Sequence, residues 1–186
     1  MILSLALTIE ARDSCTGGHC QRLADYGVLL GGRVGLGADE LAALHRGGYL
    51  HDIGKIAVPD AILLKPSPLT SVEYEVIKEH TVIGAKLCGD LRSFVPVRPI
   101  VRHHHERLDG SGYPDGLRGD DIPLLAQIVG VVDAFDAITT ARPYRPARSR
   151  EQAFAELRAD VARGLFSGDL VEPFISVASV LTPADV

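Results

Sequence analysis

Residues 104–114 read His-His-Glu-Arg-Leu-Asp-Gly-Ser-Gly-Tyr-Pro, a pair of adjacent histidines that opens a glycine-rich string. A second adjacent pair, His51 and Asp52, stands earlier in the chain. Three further candidate metal ligands lie around these pairs: His19, His80 and Asp133. Five imidazoles and two carboxylates, in a chain with seven histidines, exceed the needs of one zinc ion, which takes three or four protein ligands. The set fits two six-coordinate ions that share an aspartate and a water or hydroxide, an arrangement typical of phosphoester hydrolysis.

Length and composition predict one ordinary globular domain that spans residues 1–186, since 46% of the residues are hydrophobic. The longest apolar stretches, residues 1–9 and 122–132, are too short for a membrane span of roughly 20 residues. The N-terminus has no basic region of the kind that precedes a signal peptide. The three cysteines are odd in number and form no CxxC pair, which favours reduced thiols. We therefore expect a cytoplasmic protein without a membrane segment.

The formal net charge of −5 argues against a general nucleic-acid-binding surface. The positive charge is nevertheless uneven along the chain. Two groups of arginines stand out: Arg98, Arg102, Arg107 and Arg118 near the histidine string, and Arg142, Arg145, Arg148 and Arg150 in a later stretch. Each arginine alone is equally well explained as solvated surface, but a group beside a metal site leaves a phosphorylated small molecule open as a ligand.

Apolar residues recur at intervals of three and four through most of the chain, which predicts an all-α domain of about seven helices. We expect helices over about 18–34 and from Asp39 to Asp52, and another over 101–106. Thr70 and Glu73 form a capping-box pattern ahead of the helix that carries His80. Residues 122–140 predict a deeply buried helix, and further helices follow from about residue 150. The four glycines in residues 109–119 predict an extended loop. The alternating leucines of residues 3–9 are interpreted as helical, because no turn signal follows them.

Adjacent residues on a helix point about 100° apart, so both members of a pair can reach an ion at the helix edge. Asp133 is the clearest single candidate, since it follows the apolar residues 128–132, where an unpaired carboxylate is very costly. His45 is assigned to the surface and His103 is left out, because nothing requires either as a ligand. Nitrogen and oxygen ligands without thiolates favour iron or manganese, with zinc, nickel and cobalt as further candidates.

Six motifs occur in a fixed order along the chain. They are Thr-Gly-Gly-His at 16–19, His-Asp-Ile-Gly-Lys-Ile at 51–56, Ile-Lys-Glu-His at 77–80, the string at 104–114, Asp-Ala-Phe-Asp-Ala at 133–137 and Arg-Pro-Tyr-Arg-Pro at 142–146. In this order they resemble the HD-GYP domain, the bacterial branch of the HD phosphohydrolases that degrades cyclic di-GMP. The resemblance covers about residues 10–154 and implies a helical bundle with a loop that carries the GYP signature.

The resemblance also implies roles for particular residues. The ligands shared by all HD domains correspond to His19, His51, Asp52 and Asp133, and this branch adds His80, His104 and His105. Asp52 is the implied bridge between two ions. The implied substrate contacts are Lys55, Arg142, Arg145, Tyr113 and Asp13. Some relatives hold a third ion through a glutamate four residues before the first histidine, where this chain has Cys15, so we expect two ions.

The implied reaction is hydrolysis of cyclic di-GMP to pGpG, GMP or both, with Asp52 and Lys55 in catalytic roles. Another HD-type nucleotide phosphohydrolase remains an enzymatic alternative. From a different class, the domain could bind cyclic di-GMP without cutting it and recruit a partner such as a cyclic di-GMP synthase. A homodimer is also left open, as is the question of whether the chain stands alone or belongs to a longer protein.

Overall fold

The computed structural model describes residues 2–12, 18–89, 92–141 and 146–180. Within these ranges the chain forms α-helices and three short 3₁₀ turns, and no strand. The helices are α1 (Ile2–Arg12), α2 (His19–Arg33), α3 (Ala38–Leu50), α4 (Asp60–Leu63), α5 (Ser71–Cys88), α6 (Arg98–His103), α7 (Leu124–Thr139), α8 (Arg150–Ala162) and α9 (Gly168–Ala178). The 3₁₀ turns cover Ile53–Ala57, Arg92–Phe94 and Gly119–Asp121. The all-α prediction is confirmed, including the helical interpretation of the leucines near the N-terminus.

The described residues contain nine helices where about seven were expected. The segment after Pro59 forms the four-residue helix α4, and the residues after α8 form α9. The predicted helix over 101–106 was also wrong at its end, because α6 stops at His103 and the next residues turn away. Glu106 therefore lies in the loop that follows α6.

Local capping explains where two of the longer helices begin. The hydroxyl of Thr70 accepts the backbone N–H of Glu73, and the carboxylate of Glu73 accepts the backbone N–H of Thr70. The predicted capping box at the start of α5 is thus confirmed. Ser149 and Gln152 form the same pair of contacts at the start of α8. Each box satisfies N–H groups that the first helical turn leaves without partners.

Helix α7 lies at the centre of the main hydrophobic core. Ile128, Val129, Val131 and Val132 are completely buried, together with Phe174 from α9 and Leu23 from α2. A helix that is apolar on all sides must be surrounded by other elements, and α7 packs against α2, α3, α6, α8 and α9. A carboxylate on such a helix needs a charged or polar partner, which draws attention to the two aspartates of α7.

The functional side chains are positioned by a second set of contacts. Helix α5 packs against α6 and against the 3₁₀ turn at Ile53–Ala57, while α2 packs against α3. The C-terminal ends of α3 and α6 therefore meet the sides of α5 and α7 and the N-terminal end of α2. None of the helices in the described ranges combines the length and the apolar character that a membrane span requires.

Candidate metal centre

The structure brings all seven sequence-predicted metal ligands together. One group consists of Asp52, His80, His104 and His105, and the other of His19, His51 and Asp133. Within each group, one potential ligand atom per residue lies within 4.8 Å of the others. We refer to these seven residues as the seven-residue cluster. The seven residues come from distant parts of the chain, so the cluster forms only because five helices pack together.

The ends of helices supply most of the cluster. His19 is the first residue of α2, and His51 immediately follows the last residue of α3. His104 follows the last residue of α6 in the same way. At such an end the chain changes direction, so the two adjacent pairs can both face one interior space. His80 and Asp133 instead project from the middle of α5 and α7.

Asp52 belongs to the first group and also faces the second. Its Oδ1 is 3.2 Å from Nε2 of His80, and its Oδ2 is 3.2 Å from Nε2 of His51. The Nζ atom of Lys55 lies 2.7 Å from the same Oδ2. One carboxylate therefore presents each of its oxygens to a different group, which is the geometry expected of a bridging ligand.

Three of the five histidines in the cluster donate a hydrogen bond from Nδ1 to a backbone carbonyl oxygen. Nδ1 donates to the carbonyl oxygen of Gly48 in His51, of Ile77 in His80 and of Val101 in His104, at 2.9, 2.6 and 3.1 Å. A carbonyl oxygen can only accept, so Nδ1 carries the proton and Nε2 keeps its lone pair. This tautomer is the one that binds a metal through Nε2.

Asp136 performs the same function for His19. Its Oδ2 lies 2.7 Å from Nδ1 of His19, and Arg22 binds both carboxylate oxygens at 2.5 and 3.0 Å. Asp136 is 2% exposed, so the contacts are shielded from water. Sequence reasoning quoted Asp136 only as part of a motif and missed this contact. The available signal was its position three residues after Asp133 on a buried helix, since such residues lie on neighbouring parts of a helix surface.

A cation fits the space that the cluster surrounds. The buried Nε2 atoms of His80 and His104 and the Oδ1 of Asp52 have no hydrogen-bond partner, although buried polar atoms are nearly always paired. The Nε2 atoms of His19 and His51 face each other at 3.3 Å. Two lone pairs at that distance repel each other unless positive charge lies between them. The donor set of imidazole nitrogens and carboxylate oxygens is therefore compatible with divalent metal ions.

The electrostatics of the cluster keep His104, His105 and Asp52 in the forms that bind metals. Burial and the neighbouring imidazoles hold the pKa of His104 well below its ordinary value, and burial lowers the pKa of His105 to about 3. Burial alone raises the pKa of Asp52, but the charges of Lys55 and His51 outweigh it and hold that pKa well below its usual range. His104 and His105 are therefore neutral, and Asp52 is ionised. Burial lowers the pKa of His51, but the charge of Asp52 outweighs it and raises that pKa to about 9, so His51 must release a proton when it binds a metal.

Comparisons with known proteins identify the family of the chain. The model of the HD domain family matches residues 5–170, most of the chain. The chain belongs to the HD domain family. It is 45% identical over 161 residues to the cyclic di-GMP phosphodiesterase response regulator RpfG of Xanthomonas campestris, covering 86% of this chain and 43% of that protein. It is 38% identical over 182 residues to a cyclic di-GMP phosphodiesterase of Thermotoga maritima, covering 96% of this chain and 49% of that protein.

Solved structures show the same HD fold. A cyclic GMP-AMP-specific phosphodiesterase of Vibrio cholerae superposes with a TM-score of 0.74 at 22% identity, over 96% of this chain and 48% of that one. An HDG"Y"P protein of Bdellovibrio bacteriovorus gives a TM-score of 0.71 at 23% identity, over 87% of this chain and 51% of that one. The family membership expected from the sequence is confirmed. The chain spans about half the length of the known relatives it matches.

The loop that carries the GYP signature of this HD domain is held by Glu106. Its carboxylate accepts the backbone N–H groups of Asp115, Gly116 and Leu117 at 2.8, 3.1 and 3.1 Å. A Cβ on Gly112 would lie 2.4 Å from the Cα of Glu106, so the loop can fold back only with glycine at that position. The loop thus lies against the chain that carries His104 and His105, and the backbone N–H of Tyr113 donates to the carbonyl oxygen of His105 at 3.3 Å. Sequence reasoning missed Glu106, because it was expected to end a helix.

Tyr113 reaches the cluster from this loop. Its ring centroid lies 4.7 Å from that of His105 and 6.4 Å from that of His80. Burial and the nearby carboxylates raise the pKa of Tyr113, so its hydroxyl is neutral. His103 faces the other side, where its Nδ1 lies 3.6 Å from Asp115. It is not part of the seven-residue cluster, as the sequence indicated.

Arg102 and Arg107, two of the arginines near the histidine string, have structural partners. Arg102 binds both oxygens of Asp115 at 2.8 Å, and Arg107 donates to the carbonyl oxygens of His104 and Glu106. The contacts of Arg102 join α6 to the loop at Asp115, and those of Arg107 are local to the histidine string. Four residues with sequence-based roles lie outside the described residues: Asp13, Cys15, Arg142 and Arg145.

Proposed function

We propose that this chain is a metal-dependent phosphodiesterase that hydrolyses cyclic di-GMP to pGpG, GMP or both. The observation that carries the proposal is the position of Asp52, whose two oxygens face two groups of imidazole ligands. The names of the Xanthomonas and Thermotoga relatives supply the substrate class. The proposed location is the cytoplasm, in line with the odd number of cysteines.

The two groups of the cluster are proposed to hold two divalent ions. His19, His51, Asp52 and Asp133 would hold one, and Asp52, His80, His104 and His105 the other. Iron or manganese suits these nitrogen and oxygen donors best, with zinc, nickel and cobalt as further candidates. When bound, such a pair lowers the pKa of a water molecule and neutralises charge on phosphoryl oxygens. The contacts of Asp136 and of the three backbone carbonyls keep the imidazoles oriented before any ion arrives.

Lys55 is proposed to bind a phosphoryl oxygen of the substrate. Its side chain is 17% exposed, and its ammonium lies 2.7 Å from Asp52, at the edge of the cluster. A fixed positive charge at this position favours the negative charge that develops during in-line attack on phosphorus. Tyr113, Arg142, Arg145 and Asp13 are proposed as further substrate contacts, from the family resemblance.

A second candidate substrate is 3′3′-cGAMP. A 3′3′-cGAMP-specific phosphodiesterase of Vibrio cholerae is 38% identical to this chain over 174 residues. The two cyclic dinucleotides differ in one base, so the cluster itself does not distinguish them. Recruitment of a cyclic di-GMP synthase and formation of a homodimer stay predictions.

The first prediction is the hydrolysis itself. Protein loaded anaerobically with Fe(II) or Mn(II) is expected to convert cyclic di-GMP to pGpG or GMP, and a chelator is expected to abolish the reaction. Chromatography measures the products, and metal analysis of the same sample measures the metal content. Parallel reactions with 3′3′-cGAMP rank the two substrates. Loaded protein that binds cyclic di-GMP and never cuts it would instead support the binding-module alternative.

The second prediction concerns Lys55. Lys55→Met is expected to lower kcat/KM by about tenfold or more, because charge-assisted contacts to phosphate are worth about 1.5–3 kcal/mol. Its metal content should match that of the wild type. Lys86→Met, at an exposed position on α5, is the matched control and should leave the kinetics unchanged. If Lys55→Met keeps the kinetics of the wild type, Lys55 does not contact the substrate and only pairs with Asp52.

A further inference from the structure

A row of aromatic rings leads from the seven-residue cluster to the protein surface. It begins at His105 and His80, against which the ring of Tyr113 packs. The ring of Tyr74, on α5, follows at 6.3 Å from Tyr113 and meets it nearly edge to face, at 80°. Tyr113 is partly buried, whereas Tyr74 is 46% exposed. The row therefore ends in an aromatic surface that is open to solvent beside the site.

A lysine accompanies the two tyrosines. The Nζ atom of Lys78 lies 5.1 Å from the ring centroid of Tyr74 and 5.6 Å from that of Tyr113. Lys78 also pairs with Glu75 at 2.7 Å, but Glu75 is 68% exposed, and an ion pair in such a position contributes little free energy. The ammonium can therefore exchange that partner for a ligand at small cost.

We propose that Tyr74 and Lys78 form a subsite for one guanine base of the cyclic dinucleotide. The proposal rests on the proposed function, since it assigns the base of the same substrate whose phosphate lies at the cluster. Tyr74 would stack on the base, an interaction that any nucleobase can make. Lys78 would face the O6 and N7 acceptors of guanine. Adenine presents an amino donor in place of O6, so the ammonium favours guanine.

The position of the subsite matches the shape of the substrate. The scissile phosphate must reach Asp52 and Lys55, and a base attached through ribose extends several ångströms away from it. Tyr113 occupies that intermediate distance, in contact with the cluster on one side and with Tyr74 on the other. A base on Tyr74 is thus compatible with a phosphate at the cluster.

The third prediction tests the subsite with Tyr74→Ala and the conservative variant Tyr74→Phe. In metal-loaded protein, Tyr74→Ala is expected to raise KM for cyclic di-GMP about tenfold through loss of stacking, with kcat within about twofold. Tyr74→Phe keeps the ring and should behave as the wild type. Val72→Ala, at another exposed position of α5, is the matched control and should also leave KM unchanged.

Two competitive inhibitors separate the contribution of the base to binding from that of the phosphate. GMP carries both, whereas ribose 5-phosphate lacks the base. Tyr74→Ala should weaken inhibition by GMP about tenfold and leave inhibition by ribose 5-phosphate unchanged. Lys78→Met should weaken inhibition by GMP more than inhibition by AMP.

The outcomes distinguish the subsite from the function on which it rests. Active Tyr74→Ala with an unchanged KM, or equal weakening of both inhibitors, overturns the base subsite and leaves the phosphodiesterase intact. Equal effects of Lys78→Met on GMP and AMP overturn the guanine preference. Metal-loaded wild-type protein that neither cuts nor binds any cyclic dinucleotide overturns the function and the subsite together.

Discussion

Replacement of Asp52 by alanine is expected to reduce the hydrolysis of cyclic di-GMP by a factor of about 1,000 or more. Asp52 is the residue whose Oδ1 and Oδ2 face His80 and His51, each at 3.2 Å. Its loss removes a ligand from both proposed ions and leaves the bordering imidazoles to repel each other. Losses of activity of this size are common when one catalytic group that acts together with others is removed. Metal analysis should show a content well below the expected two ions per chain.

The control for this experiment is Asp39→Ala, which removes a carboxylate from an exposed position at the start of α3, the helix that precedes Asp52. Asp39→Ala should keep full metal content and activity. Asp52→Asn adds a further comparison, since it preserves the shape of the side chain and removes the charge. Two ions retained in Asp52→Ala would show that the assignment of Asp52 as the bridge is wrong.

The second large effect is expected at Gly54, in the 3₁₀ turn that follows Asp52. A Cβ at this position would lie 1.8 Å from the carbonyl oxygen of His80 and 2.6 Å from the backbone nitrogen of Gly84. Both atoms belong to the backbone of α5, so they cannot move aside as a flexible side chain does. Gly54→Ala is therefore expected to lower the free energy of unfolding by about 3 kcal/mol or more, at the upper end of overpacking effects.

Urea unfolding measures this change, and metal analysis measures its effect on the site. Because α5 carries His80, a shift of α5 away from the turn should also lower the metal content. Gly32→Ala is the matched control. It lies in α2, a Cβ there meets nothing within 4 Å, and alanine should raise the stability slightly, by about 0.5–1 kcal/mol. An unchanged unfolding midpoint in Gly54→Ala would contradict the close approach of the turn to α5.

Five of the seven candidate ligands carry a local signal in the sequence, whereas His19 and His80 are identified by the resemblance of their motifs. Histidine beside aspartate, histidine beside histidine, and aspartate within an apolar helix are all visible without tertiary structure. The same is true of the capping box at Thr70, where both partners lie within one turn. The number of helices and the end of α6 were less predictable, since short segments depend on what packs against them.

The sequence revealed less about the supporting residues, because it does not identify the groups that they contact. Asp136 and His19 lie 117 residues apart, and Arg22 joins them from the next turn of α2. Glu106 accepts backbone N–H groups that lie nine to eleven residues later in the chain. Tyr74 and Lys78 look in the sequence like an ordinary exposed pair on a helix, and only their position next to Tyr113 gives them a proposed role.

The sequence by itself determined the helical class of this protein, the family to which it belongs and the chemical types of the ligands. The helical class follows from periodicity and the ligand types from residue type, which are local, whereas the family follows from the resemblance of the ordered motifs. The tertiary structure alone decided that Asp52 presents its two oxygens to different groups, that Asp136 orients His19, and that an aromatic row leads outward from His105. Such relations depend on distances of a few ångströms between residues far apart in the chain, and the packing of α2, α3, α5, α6 and α7 sets those distances.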